Sequence, residues 1–227
     1  MHHAKSHARS HTKSHAKVLA ETSRRGLSFL AGALIALPLS ALSMSTLAAS
    51  ESAIFAGGCF WCVEEAFDKV NGVTATISGF SGGKTENPTY RQVVNGGTGH
   101  LEVVKVEYDP ERVDYAELLE VYWRNVDPFA VNRQFCDQGD SYRSAVFVDS
   151  EAQRQLVEAS RDALAARFNQ DIATEILDAA AFYPAGEEHQ NYYQENPLRY
   201  RFYKSACGRV ERLEEIWGDE AGGPSVS

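Results

Sequence analysis

Residues 26–50 of this 227-residue chain contain no charged side chain, and that gap separates the part that can build a core from the part that precedes it. Residues 1–25 carry six basic side chains (Lys5, Arg9, Lys13, Lys17, Arg24, Arg25) against one acid, Glu21, and five of the seven histidines lie in the first 15 positions. A basic region, an apolar run from Leu27 to Ala49 and a small-residue exit at Ala48, Ala49 and Ser50 form the pattern of a cleavable export signal. Arg24-Arg25 suits a twin-arginine route as well as ordinary secretion. The competing reading is an uncleaved leader that anchors the protein, since 23 uncharged residues can span a bilayer, although Pro38 and the serines make a poor permanent helix. We therefore read 1–50 as a leader, 51–218 as the folded domain and 219–227 as a disordered tail.

Without residues 1–25 the chain holds 16 basic against 30 acidic residues. A body that acidic repels nucleic-acid phosphates and anionic lipid, which excludes nucleic acid as a partner and, once the leader is cut, stable membrane insertion. Hydrophobic residues make up 44% of the chain, and the stretch from about residue 50 onward is long enough for one well-filled core and too short for two.

Apolar runs and periodicity give the elements. Ala53–Gly57 reads as a buried strand closed by Gly57-Gly58. Phe60, Val63, Phe67 and Val70 recur at helical spacing, so a helix begins near Cys59. Val73–Phe80, Leu101–Tyr108 and Ser144–Val148 read as strands, Glu151–Phe168 as a helix, and Asp114 as the cap of another. Thr89–Val94 makes one helical turn, Asp127–Tyr142 a long loop, and the aromatic C-terminal segment shows no clear period. Interspersed strands and helices predict an α+β domain: a mixed sheet covered by helices, in the manner of a ferredoxin-like two-layer plait, with an irregular C-terminal tail.

The chemistry gathers at Gly57-Gly58-Cys59-Phe60-Trp61-Cys62-Val63-Glu64-Glu65. A cysteine at a helix start meets unpaired N–H groups and the positive end of the helix dipole, which favour the thiolate, and the thiolate is the nucleophile. Phe60 falls on the inward stripe. Trp61 falls on the side of Glu64 and Glu65, which leaves a large aromatic partly exposed beside the thiol. On the strand Leu101–Tyr108, Glu102 shares a face with Val104, Val106 and Tyr108; if that face is covered the carboxyl holds its proton near neutrality, but on the residues alone a solvated glutamate at the strand's start is the first reading.

Gly58-Cys59-Phe60-Trp61 followed by Glu64 resembles the signature of the peptide methionine sulfoxide reductase A family. The resemblance continues through Ser78-Gly79-Phe80, Asn87-Pro88-Thr89-Tyr90, the run Gly97 to Val104, Asp127-Pro128 and the run Asp137 to Ser144, and so covers residues 52–218. It implies a catalytic domain over 51–218 that reduces the S-epimer of methionine sulfoxide, free or in oxidised proteins, as a repair of oxidative damage. Cys59 would attack the sulfur and become a sulfenic acid, and Glu102 would supply the proton. Phe60 and Trp61 would form the methyl slot, Tyr90 and Tyr142 would donate to the oxygen, and Asp137 would accept the substrate's main-chain amide. No metal or organic cofactor is implied. An external thioredoxin-like dithiol would be the reductant, placed outside the inner membrane if the leader directs export to the periplasm.

Three cysteines can resolve the sulfenic acid by forming a disulfide. Cys207, next to a glycine in the C-terminal segment, is the first choice by resemblance; Cys62 and Cys136 are the alternatives. A thiol–disulfide oxidoreductase built on Cys59-Phe60-Trp61-Cys62 is the chief competing reading. A zinc site is weak because Cys136 and Cys207 stand alone. Gly83-Lys84-Thr85 fails as a phosphate loop because Ser78 stands where the first glycine belongs. His100 and His189 are read as structural.

Overall fold

The computed structural model describes residues 50–223. The leader expected over 1–50, its route and its cleavage point lie outside the described residues, apart from Ser50. In chain order the elements are β1 (Glu51–Gly57), α1 (Phe60–Asp68), β2 (Val73–Ser81), α2 (Tyr90–Val94), β3 (Leu101–Tyr108), α3 (Tyr115–Arg124), β4 (Arg133–Gln134), β5 (Asp137–Gln138), β6 (Ser144–Val148), α4 (Glu151–Phe168), β7 (Glu175–Asp178), β8 (Tyr183–Pro184), α5 (Tyr192–Glu195), α6 (Pro197–Ala206) and α7 (Arg209–Trp217).

Six strands form one sheet in the order β7-β6-β1-β3-β2-β8, and β4 pairs with β5 as a separate short hairpin. The central four, β6-β1-β3-β2, are all antiparallel, and β7 adds in parallel beside β6. With α1 between β1 and β2 and α3 between β3 and β6, this is the two-layer plait expected. Register places Phe55 opposite Val104 and Phe80 opposite Glu102.

Alternation along the strands decides which side chains meet the helices. Phe55, Val104, Val106 and Tyr108 point into the main core with Phe67, Leu118 and Tyr122. There Phe55 stacks on Phe67 at 4.8 Å and on Tyr122 at 5.2 Å. Ala56, Leu101, Val103, Ala145 and Phe147 form a smaller cluster on the opposite sheet face. At the start of α3, Asp114 accepts the Glu117 amide while Glu117 accepts the Asp114 amide, a reciprocal cap worth about 1 kcal/mol.

The C-terminal segment differs from expectation. It is helical through α5, α6 and α7 rather than irregular. Its helices dock by polar anchors that carry no hydrophobic period: Tyr200 and Lys204 reach Glu65, and Arg212 binds Asp127 at 2.7 Å. The tail expected to be disordered from 219 is ordered through 223. Arg124 and Arg167 both grip Glu220, and the Gly222 amide donates to the Arg124 carbonyl. Residues 224–227 lie outside the described residues.

Candidate active site

Strand β1 delivers the chain to the site through Gly57-Gly58. Gly58 has φ +77, and a β-carbon there would lie 2.4 Å from Cβ of Gln134, so both conformation and space demand glycine. The turn sets Cys59 as the N-cap residue of α1, with a side chain that makes no capping bond, so the sulfur is free for other work. The Phe60 amide donates to Oε2 of Glu102 at 3.1 Å.

Glu102 is buried on β3, and its Oε1 has no hydrogen-bond partner among the described residues. Burial pushes its pKa up to about 8; the Phe60 amide opposes this, while the charges of Asp137 and Cys62 add to it. The carboxyl is therefore protonated at neutral pH, with Oε1 available to carry the proton.

Burial also raises the Cys59 thiol well above its usual range, helped by the neighbouring Cys62 and Glu102 and opposed by the Tyr203 hydroxyl. The helix start does not dominate here as the sequence suggested, because burial of the thiol outweighs it. Cys62 is lowered to about 6, first by the hydrogen bond from Cys59 and then by the cations Arg209 and Lys204, against the effect of burial.

Phe60 and Trp61 form two walls, with ring centres 6.2 Å apart, and Phe60 also meets Phe80 and Tyr90 at 6.0 and 6.1 Å. Trp61 is half-buried and stacks on Tyr192 at 3.8 Å with the planes 10° apart. His189 packs 4.3 Å from Tyr90 and 5.4 Å from Phe60; burial lowers its pKa, which keeps the ring neutral. The segment bearing His189 and Tyr192 is fastened from both sides. Gln190 bonds the Ser78 amide and carbonyl, each at 2.9 Å, and the Asn191 amide donates to the buried Glu64 at 3.1 Å.

Cys59, Phe60, Trp61, Tyr90, Glu102, Asp137 and Tyr142 all line one cavity of ≈ 60 Å³, together with Tyr203. One water needs ~10–15 Å³ on this measure, so the cavity has room for a group of a few heavy atoms such as a methylsulfinyl group. Burial pushes Tyr90 up to about 12 and raises Tyr142 further, so both remain hydroxyl donors. Asp137 accepts the Tyr203 hydroxyl on Oδ2; burial raises its pKa, and Tyr203 and Arg209 hold it back.

The remaining cysteines sit differently from the first choice made on sequence. Cys207 is bonded to Cys136, with Cα atoms 4.9 Å apart, while Cys59 and Cys62 are free. A mobile tail carrying Cys207 is not what the fold provides, because Cys207 caps a helix docked over α1. Cys136, Asp137 and Cys207 place ligand-type atoms within 4.8 Å of one another, but with both sulfurs in a disulfide neither is a thiolate for a metal. At the hairpin tip just before Cys136, Phe135 has φ +54, a conformation costing about 1–2 kcal/mol for a side chain of this kind. The buried Arg209 guanidinium lies 4.3 Å over its ring and donates to the Asn125 carbonyl at 2.7 Å.

The sequence reading missed Tyr203, Tyr192 and the packing role of His189. Tyr203 precedes Cys207 by four residues, a same-face spacing that is informative only once the segment is known to be helical. His100 does serve structure: its Nδ1 accepts the Gly83 amide at 3.1 Å, and its Nε2 lies 2.7 Å from the Thr85 carbonyl.

The family model described as Peptide methionine sulfoxide reductase matches residues 51–221. The chain is 48% identical over 170 residues to peptide methionine sulfoxide reductase MsrA of Halalkalibacterium halodurans, covering 74% of this chain and 97% of that protein. It is 47% identical to peptide methionine sulfoxide reductase MsrA 2 of Rhizobium meliloti, over 74% of this chain and 84% of the relative. Among solved structures it resembles methionine sulfoxide reductase A of Corynebacterium diphtheriae, with TM-score 0.60 and 38% identity over 66% of this chain and 76% of that one. Mxr1 from Saccharomyces cerevisiae in reduced form gives TM-score 0.61 and 29% identity, over 65% of this chain and 86% of that one.

Proposed function

This chain belongs to the peptide methionine sulfoxide reductase family, and from that premise we propose how its own residues reduce methionine sulfoxide. The observation that carries the reading is one shared cavity: Cys59 and the protonated Glu102, whose Oε1 has no hydrogen-bond partner among the described residues, line the same small, aromatic-walled space.

A sulfoxide has an electrophilic sulfur and a basic oxygen. Phe60 and Trp61 take the S-methyl group, and the Tyr90 and Tyr142 hydroxyls hold the oxygen. Glu102 gives its proton to that oxygen and receives the proton that Cys59 loses on attack, so the carboxyl ends as it began. The substrate's sulfur–oxygen bond breaks, a Cys59 sulfur–oxygen bond forms, and the products are methionine and a Cys59 sulfenic acid. Asp137 keeps one oxygen free of Tyr203 for the main-chain amide of the substrate.

Cys62 then attacks the Cys59 sulfur and displaces the hydroxyl as water. Cys62 is preferred to Cys207 as the resolving residue because it is a free thiol buried in one cluster with Cys59, while Cys207 is already bonded to Cys136. A thioredoxin-like dithiol protein reopens the Cys59–Cys62 disulfide. The basic and apolar leader supports export and a repair role outside the inner membrane, with a retained anchor as the alternative. The S-epimer is the proposed substrate, in oxidised proteins or free.

The test is a dithiothreitol-driven assay on the separated epimers. The reading requires methionine from the S-epimer with the wild type, none with Cys59→Ser, and a large loss with Glu102→Gln. Turnover by Cys59→Ser, or reduction of the other epimer alone, refutes it.

A further inference from the structure

We propose that the Cys136–Cys207 disulfide is a fixed brace of the substrate slot, holding Tyr203 over Cys59 and against Asp137, and that it takes no part in electron transfer. The inference rests on the reading above that Cys59 reduces a sulfoxide, and it assigns work to the two cysteines that reading leaves unused.

The brace joins the β4–β5 hairpin to helix α6, which also meet through the Tyr203–Asp137 hydrogen bond. Cys136 sits at the tip of the β4–β5 hairpin, which has only two paired positions, and its neighbour Asp137 lines the cavity. The Phe135-Cys136 tip is a poor turn sequence: Phe135 is left-handed where asparagine or glycine is favoured, so tertiary contacts must hold it. On the other side, Cys207 caps α6, a helix that buries only Tyr200 and leaves Leu198 and Phe202 75% and 78% exposed. A helix with one apolar anchor is held by its polar contacts and by the disulfide.

Tyr203 lies one turn before Cys207 and is the point where both elements meet the reaction. Its hydroxyl donates to Asp137 Oδ2, its side chain lines the same cavity as Cys59, and its ring edge meets Trp61 at 5.9 Å. With Oδ2 occupied, Asp137 is turned so that its other oxygen is the one offered to a substrate amide. Opening the disulfide frees the hairpin tip from the helix and lets this orientation relax.

The experiment is a single-turnover assay without reductant, using the S-epimer of a methionine sulfoxide peptide. Wild type is first treated with a limiting dithiol and desalted, and its remaining disulfide is mapped by alkylation and mass spectrometry. It is compared with Cys136→Ser/Cys207→Ser, with Tyr203→Phe, and with the three changes combined. Loss of one hydrogen bond to a charged group raises the half-saturating sulfoxide concentration about tenfold in each variant, with a much smaller change in the limiting rate. The combination shows no further rise, because brace and hydroxyl act through one contact. Tyr203→Phe keeps the ring and the fold, so the result does not depend on the serine variants folding well. After turnover the wild type retains Cys136–Cys207 beside a new Cys59–Cys62 bond. Unchanged half-saturation in the serine variant, additive effects, a Cys136–Cys207 bond that reduces before Cys59–Cys62, or Cys207 found joined to Cys59 or Cys62 overturns the proposal. A wild type that yields no methionine fails the functional reading instead.

Discussion

The Phe60 amide and the Glu102 carboxyl are 42 positions apart in the chain and 3.1 Å apart in space. That bond ties the start of helix α1 to strand β3 and fixes the division of labour within one carboxyl group. Oε2 faces the helix, which leaves Oε1 unpartnered and buried at the cavity. A helix-start amide favours an anion, yet burial outweighs it and the group stays protonated.

The stability supplied by Glu102 should fall as pH rises from about 5 to 8. Glu102 and Glu64 have folded pKa values of about 8 and about 7, both raised by burial above the unfolded carboxyl value. At these two carboxyls the folded state binds more protons than the unfolded state, so the stability gained from them is fully present below the unfolded pKa and lost as pH rises through the folded ones. Cys62 and His189, both lowered, act in the opposite direction, so the contribution of Glu102 is read as a difference between variants. For Glu102 alone the loss is on the order of 3–4 kcal/mol. Denaturant titrations of wild type and Glu102→Gln at pH 5, 6.5 and 8 check it: wild type should lose stability relative to the variant as pH rises, and parallel profiles contradict the assignment.

Cys62→Ser should yield one equivalent of methionine and then stop when a protein dithiol is the reductant. A sulfenic acid should accumulate on Cys59, detectable by a carbon nucleophile specific for that group and mapped by mass spectrometry. Cys207→Ser should continue to turn over. The reverse pattern restores Cys207 as the resolving residue.

Tyr192→Ala should weaken substrate binding rather than chemistry. Tyr192 stacks on Trp61 at 3.8 Å and fixes the wall that meets the S-methyl group. An aromatic pair of this kind is worth about 0.5–1.5 kcal/mol, so KM should rise about two- to tenfold with kcat changed less. Tyr192→Phe keeps the stack and should behave as wild type. A loss confined to kcat contradicts the positioning role.

The sheet and its first helices were legible because their signals are local. Leu101–Tyr108 is a strand with the limits its alternation gave, and Asp114 caps α3 as its position before an apolar run suggested. The strand pattern of β3 allowed a buried Glu102 but equally a solvated one at the strand's start, and only the family resemblance favoured the buried acid. Residues 192–217 hid their helices because Tyr200, Leu213 and Trp217 are too sparse to set a period, and the docking is done by Lys204, Arg209 and Arg212. With those helices unseen, Tyr203 had no reason to approach Asp137. Nor did Cys207 have a reason to meet Cys136, 71 residues away. Cys59 shows a third kind of gap: a helix start was visible, but the destination of its amide depends on a strand 42 residues on.

The measurement closest to the central claim is the pH dependence of the single-turnover rate in wild type and Glu102→Gln. Glutamine still accepts the Phe60 amide, so the site keeps its shape and loses only its proton. The wild-type rate should fall above about pH 8, as Glu102 ionises. In Glu102→Gln the rate should be lower by roughly 10²–10⁴ and that limb should vanish. A variant that matches the wild type in rate, or that retains the same alkaline limb, would contradict the assignment of Glu102 as the proton donor to the sulfoxide oxygen.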